Sequence, residues 1–198
     1  ISVGTCTAHA LRVNFVGELG WEFHVPVEQQ VALFDHLMQA GKEFGIRPYG
    51  IKAMSSLSIE KSYRLIPREL SIEYSAYESG LDRFVHPNKG QFIGRDALVA
   101  GREKGLNWNF TTLEVHGITD DWSDARGSEP IYASGQLAGR ATNGGYGFRT
   151  AKSLALAMIR PDALQSGASL QIKILDKLFE MTVLPESPYD PDNLKLRA

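Results

Sequence analysis

The sequence predicts an α+β chain in two parts, mixed helix and strand up to about residue 104 and all-β from about residue 109. Apolar residues recur at helical spacing over residues 26–45 and again over 50–64, as a buried helix face requires. Past residue 109 the pattern changes to short alternating runs separated by Gly-containing turns, which reads as a small sandwich or barrel. The length of 198 residues, with 43% hydrophobic and 22% charged, is enough to bury a real core.

The elements follow in order. Residues 10–26 read as a hairpin. Leu11, Val13 and Phe15 share one face of its first strand, and Trp21, Phe23 and Val25 one face of its second. That alternation places Trp21 in the core, and the GELG between the strands supplies turn glycines. Pro26 opens a helix in which Val27, Val31, Phe34, Leu37, Met38 and Phe44 fall at helical spacing, with Gly45 as its C-terminal cap. A second helix runs from about 50 to 64, with Ile51, Met54 and Leu57 on its buried side. LSIEYSAYESGLDRFV, residues 70–85, reads as loop and strand, and 94–104 as a short helix. FTTLEVH, EPIYA, LAGRAT, SLALAMI, SLQIKIL and LFEMTVL are the strands of the all-β part. TNGGYGF, residues 142–148, reads as a turn between them, and DDWSDARGSE, residues 120–129, as a polar loop with no function assigned.

Several function classes fall away. A net charge of −2 and the lack of a basic, aromatic-studded surface argue against nucleic acid. The single cysteine, Cys6, excludes an intrachain disulfide framework and any multi-cysteine metal site. The five histidines, His9, His24, His36, His86 and His116, show no ligand spacing, so no metal is expected. No G-x-S-x-G turn is present for a serine nucleophile, and the glycines of TNGGYGF match no phosphate or dinucleotide loop. No apolar run approaches the roughly 20 residues of a membrane span, and no signal peptide is visible. A cytoplasmic setting is expected. The chain begins at Ile1 in a strand-like pattern, from which a piece of a longer polypeptide is expected.

Glu22 stands out, because acidic residues are disfavoured in strands. One reading makes it a solvent-facing residue paired with a neighbour such as Arg12. The other makes it a planar acceptor of two parallel N–H bonds from a guanidine-like edge, such as a pterin presents through its ring N–H and exocyclic amine.

GELGWE followed by a strand and VP, AGKEFG, SLSIEKSYR, ESGLDRFV, KGQFIGRDAL and the barrel-like SEPIYASGQLAGRATNGGYGFRTAKSLALAMI together resemble the aminomethyltransferase family, that of the glycine cleavage system T protein. The order and spacing agree over residues 10–192, and the wording is most similar to the C-terminal folate domain of dimethylglycine and sarcosine dehydrogenases. The resemblance implies the second half of a folate-binding, ferredoxin-like α+β domain in residues 1–104 and a Greek-key β-barrel in 109–198. It implies one-carbon transfer from a small methylated amine to tetrahydrofolate, with a flavin (FAD) only in an upstream domain. Residue by residue, Glu22 matches the glutamate that grips the pterin, and Phe15 a pocket position that is often tyrosine. The backbone at Phe23 and His24 lies beside the same ligand. Arg83 matches a pocket position that is usually aromatic; here it either meets the folate's glutamate tail or stays on the surface.

The departures carry information. Met54 stands where the T protein proper has arginine, which fits the dehydrogenase branch. LIPREL, residues 65–70, replaces a stretch that often carries tryptophan. No catalytic residue is assigned, because the family's catalytic aspartate belongs upstream of the GELGWE hairpin and residues 1–10 hold none. The chain alone is therefore expected to be inactive. Missing pocket wall should leave apolar surface exposed, which predicts a homodimer or association with the N-terminal half. Alternatives are a folate-dependent demethylase, a non-catalytic folate-binding protein like the iron–sulfur maturation factors (which carry a cysteine near Gln91), or a module docking a lipoyl-bearing partner.

Overall fold

The computed structural model describes residues 1–119, 122–165 and 167–198. They form two compact units, residues 1–58 with 192–198, and residues 59–191.

The first unit is built from short pieces. β1 (Ser2–Val3) and β2 (Cys6–Thr7) pair antiparallel. Gly4 turns between them at φ +56°, where a Cβ would stand 2.4 Å from the His36 ring and force that ring to move. β3 (His9–Leu11) pairs with β4 (Glu22–His24), placing Leu11 opposite Glu22 and His9 opposite His24. The expected hairpin is present, but each strand is three residues long. Trp21 precedes β4, so strand alternation does not govern it, and the residue is 55% exposed rather than in the core. A 3-10 turn (Val27–Gln29) after Pro26 leads into α1 (Gln30–Ala40). A second turn (Lys42–Phe44) ends at Gly45 in the left-handed conformation, as expected of a capping glycine. Only Cys6, Ala8 and Leu33 are buried hydrophobics here, and the Gln29 side-chain oxygen accepts from the Thr7 N–H at 3.3 Å to tie β2 to the helix start.

α2 (Ile51–Ile59) stops five residues before its expected end. Ser62 adopts φ +55°, which no α-helix continues through. Its hydroxyl bonds Thr112 Oγ1 at 2.8 Å and accepts from the Ser187 N–H at 3.0 Å. Ile51, expected on the buried side, is exposed. The strand expected within 70–85 is absent. Ser75 and Glu78 bond each other's backbone N–H through their side chains, which competes with ladder formation. The stretch instead reaches a 3-10 turn at Asp82–Phe84, a second follows at Pro87–Lys89, and α3 (Arg95–Lys104) lies where a helix was expected.

Six strands then close a barrel: β5 (Asn109–Val115), β6 (Pro130–Ala133), β7 (Gln136–Gly147), β8 (Lys152–Ile159), β9 (Leu170–Ile174) and β10 (Lys177–Leu184). α4 (Pro161–Gln165) links β8 to β9. The order is β10-β5-β8-β7-β6-β9, closed by β9 on β10, with every pairing antiparallel. β6, β7 and β8 are consecutive hairpins and β9 returns beside β6, which is the Greek-key arrangement expected. Leu113, Ile131, Ala157, Ile172, Phe179 and Met181 fill the interior. Leu154 and Leu156 pack outward against Ile59. β8 is therefore buried on both faces, and its SLALAMI is a continuous apolar run rather than an alternating one.

TNGGYGF is not the expected turn. Residues 142–147 continue β7 past a bulge between Ala141 and Asn143, and glycine in a strand marks such bulges and close approaches. Of the polar loop 120–129, residues 120 and 121 lie outside those described, while Ala125 is fully buried. No helix among the described residues is long and apolar enough to cross a membrane.

Ile172→Ala should cost about 3–4 kcal/mol of stability through the cavity it leaves, whereas Trp21→Ala should cost under about 1 kcal/mol; urea denaturation of the two variants checks the contrast. Burial alone would raise the Glu78 carboxyl, but hydrogen bonds from Ser75 and from the backbone at Asn107 and Trp108 outweigh it and hold the pKa below the ordinary 4.5. A depressed folded pKa contributes stability above the unfolded value that is lost as pH falls through the folded one. Stability measured against pH below 4.5 should therefore fall less steeply in Glu78→Gln than in the native chain.

Candidate functional site

The GELGWE loop is shaped by its own polar groups. The Asn14 side-chain oxygen accepts from the Val16 and Gly17 N–H groups at 3.3 and 2.6 Å, an Asx turn that reverses the chain. Gly20 folds back over it, where a Cβ would lie 2.7 Å from Asn14 Cβ. The chain then enters β4 at Glu22.

Glu22 and His24 lie two residues apart and so share a strand face. Glu22 Oε1 stands 2.6 Å from His24 Nε2, with the side chains 38% and 54% exposed. The partner is thus His24 and not Arg12. An exposed pair of this kind contributes little to stability. Glu22 Oε2 meets no hydrogen-bond partner among the described residues. A carboxylate with one oxygen held and one open can accept a donor pair if the imidazole yields.

Phe23 and His24 line a cleft of 380 Å³ whose other wall is α1. Gln30, Leu33, Phe34 and Leu37 form that wall, spaced as one helix face. Sequence reasoning placed Phe34 and Leu37 on the helix's apolar side but did not connect that side to a ligand; the i, i+3, i+4, i+7 spacing was the available signal. The other sequence-derived candidates stand apart. Phe15 sits in the loop between β3 and β4, about half exposed. Arg83 belongs to the second unit, in the Asp82–Phe84 turn, with its guanidinium 4.7 Å over the Phe84 ring. One strand therefore collects Glu22, Phe23 and His24, while Phe15 and Arg83 are placed by other segments. Among the described residues no group of three or more His, Cys, Asp or Glu side chains is arranged to hold a metal.

Two family descriptions match the chain, the GCVT N-terminal domain over residues 1–89 and the glycine cleavage T-protein C-terminal barrel domain over residues 110–190. Human mitochondrial dimethylglycine dehydrogenase is 35% identical over 94% of the chain, which spans 21% of that protein. Mouse mitochondrial sarcosine dehydrogenase is 33% identical over 96% of the chain and 21% of its own length. The aminomethyltransferase of Thermoanaerobacter pseudethanolicus is 32% identical, with 90% of the chain and 47% of the relative covered. The chain thus spans between about a fifth and a half of these relatives. The crystal structure of glycine cleavage system aminomethyltransferase T from Bartonella henselae superposes with a TM-score of 0.80 at 19% identity, covering 92% of this chain and 50% of that one. With both matched regions in family order and the barrel closed as described, the chain belongs to the aminomethyltransferase family of the glycine cleavage T protein.

Proposed function

We propose that this region binds the pterin of tetrahydrofolate through Glu22 and serves the transfer of a one-carbon unit from a small methylated amine to that folate. The observation that carries the proposal is the Glu22 carboxylate, fixed on a strand with Oε2 open and an aromatic-walled cleft beginning at the next residue. A pterin edge offers two parallel N–H donors, and a carboxylate matches them with two oxygens. Engaging both requires His24 Nε2 to release Oε1, so ligand binding and the Glu22–His24 contact exclude each other. The backbone at Phe23 and His24 and the Phe15 side chain are assigned to the same ligand on family grounds. Tetrahydrofolate itself supplies the nitrogen that accepts the carbon; the residues of this chain hold and orient it. Membership of a family whose relatives include dimethylglycine and sarcosine dehydrogenases favours a methylated amine as donor.

The test is a calorimetric titration with 5-formyltetrahydrofolate. Glu22→Ala should lose about 2–3 kcal/mol of affinity, a charge-assisted bidentate contact. Glu22→Gln should lose less, because one acceptor oxygen remains. Equal affinity in the native chain and both variants would remove Glu22 from the site. The exposed Trp21, Val27, Val31, Phe34 and Phe44 of the first unit fit association with a second copy or with further polypeptide of the same enzyme. Light scattering at micromolar concentration should detect a dimer in the first case, and a strictly monomeric chain counts against self-association.

A further inference from the structure

The second unit holds a cleft of 510 Å³ that the folate reading leaves unused, lined by parts of 67–73 and by residues 126–128 and 140–142. Among the described residues its lining includes three arginines, Arg68, Arg126 and Arg140, and one acidic residue, Glu73. That carboxylate is engaged: Glu73 Oε2 accepts from Arg140 Nη2 at 2.5 Å, and the Tyr74 hydroxyl accepts from the same guanidinium at 2.7 and 3.1 Å. Arg68 and Arg126 make no ion pair among the described residues. Arg68 Nη1 donates to neutral acceptors only, the Arg126 and Thr142 carbonyls at 3.3 and 3.2 Å and Asn143 Oδ1 at 2.7 Å. Among the described residues the Arg126 guanidinium reaches only Ser123 Oγ, at 3.4 Å from Nε.

The backbone that carries Arg126 and Arg140 is held in place. The carboxylate of Glu129 accepts from the N–H groups of Arg126 and Gly127 at 2.9 and 2.8 Å, and Ser128 N–H donates to the Ala141 carbonyl at 2.7 Å. Gly127, at φ +123°, lies so close to β7 that a Cβ would stand 2.6 Å from the Thr142 carbonyl oxygen. Segments 126–128 and 140–142 are therefore locked together, with Arg68 bridging them. A concave set of arginines carried on a fixed backbone can match oxyanion groups bidentately.

We propose that this cleft binds a small multivalent anion, a di- or tricarboxylate or a phosphate, through Arg68, Arg126 and Arg140. The site is contained in the second unit and does not involve Glu22, so it stands or falls separately from the folate reading.

The experiment is a titration of the full chain at constant ionic strength with tricarballylate and with inorganic phosphate, and with acetate as the monovalent control. Saturable binding of either probe, tighter than acetate and weakened about tenfold or more in Arg126→Ala, is the expected result. The tighter of the two probes identifies the group recognised. Arg126→Ala removes a guanidinium with a single weak contact, so the fold should survive it, and Arg68→Gln serves as a second variant that keeps a donor for Asn143. No saturable binding of either probe, affinity no better than acetate's, or affinity unaltered in both variants overturns the proposal.

Discussion

Glu60, Lys61 and Glu69 are buried at 0, 1 and 0% exposure, and the second unit is organised by the need to satisfy them. A buried charge without partners is among the most destabilising features a fold can carry, so each of these side chains dictates what must lie against it. Glu60 takes the Arg149 Nε–H at 2.6 Å and the Thr150 N–H at 2.8 Å, which fixes the connection between β7 and β8. Lys61 donates to the Tyr189 and Asp190 carbonyls at 3.2 and 2.7 Å, which fixes the chain beyond β10. Glu69 accepts from the Leu65 N–H at 2.9 Å and from the Thr142 hydroxyl, which fixes the middle of β7. One ten-residue segment thus grips the barrel at three places.

The anion cleft is a by-product of that grip. Arg68 precedes Glu69, and because Glu69 is anchored on Thr142, Arg68 has no choice but to stand over the neighbouring backbone of β7. The first unit lacks any such device. Its strands are two or three residues long, its buried apolar set is small, and large side chains such as Phe44 and Val31 face outward. Its candidate ligand carboxylate is correspondingly half-exposed, held by one imidazole and not by a network.

The barrel was the legible part of the sequence. Its strands are long enough for alternation to show, as in Leu170, Ile172 and Ile174, all of which face the core. Where the reading failed, a local rule was overridden by something distant in sequence. The α2 pattern runs on past Ile59 in residue type, but the chain is turned at Ser62 by Thr112 and Ser187. The glycines of TNGGYGF carry the signature of a turn, yet Gly144 would place a Cβ 2.3 Å from the Ala125 carbonyl oxygen, so they are there to let a loop lie against a strand. Trp21 was misplaced because a three-residue strand is too short for period-two reasoning to reach its neighbours. Glu22 was visible as an anomaly, but its partner His24 was not chosen over Arg12, since both are geometrically available to a strand carboxylate. Arg68 was hidden altogether, because nothing within LIPREL indicates that 126–128 will come to meet it.

The strand order of the barrel also bears on how the chain is made. β5 is the first barrel strand to leave the ribosome, and its partners are β8 and β10, so one edge waits for residues 152–159 and the other for residues 177–184. β6, β7 and β8 pair in succession and can form a meander early. Closure then waits for β10, which must pair with its neighbour β9 and with the oldest strand together. Non-local pairing of this sort is slow, and β5 spends that interval with its β10 edge open, the kind of edge that invites association with other nascent chains.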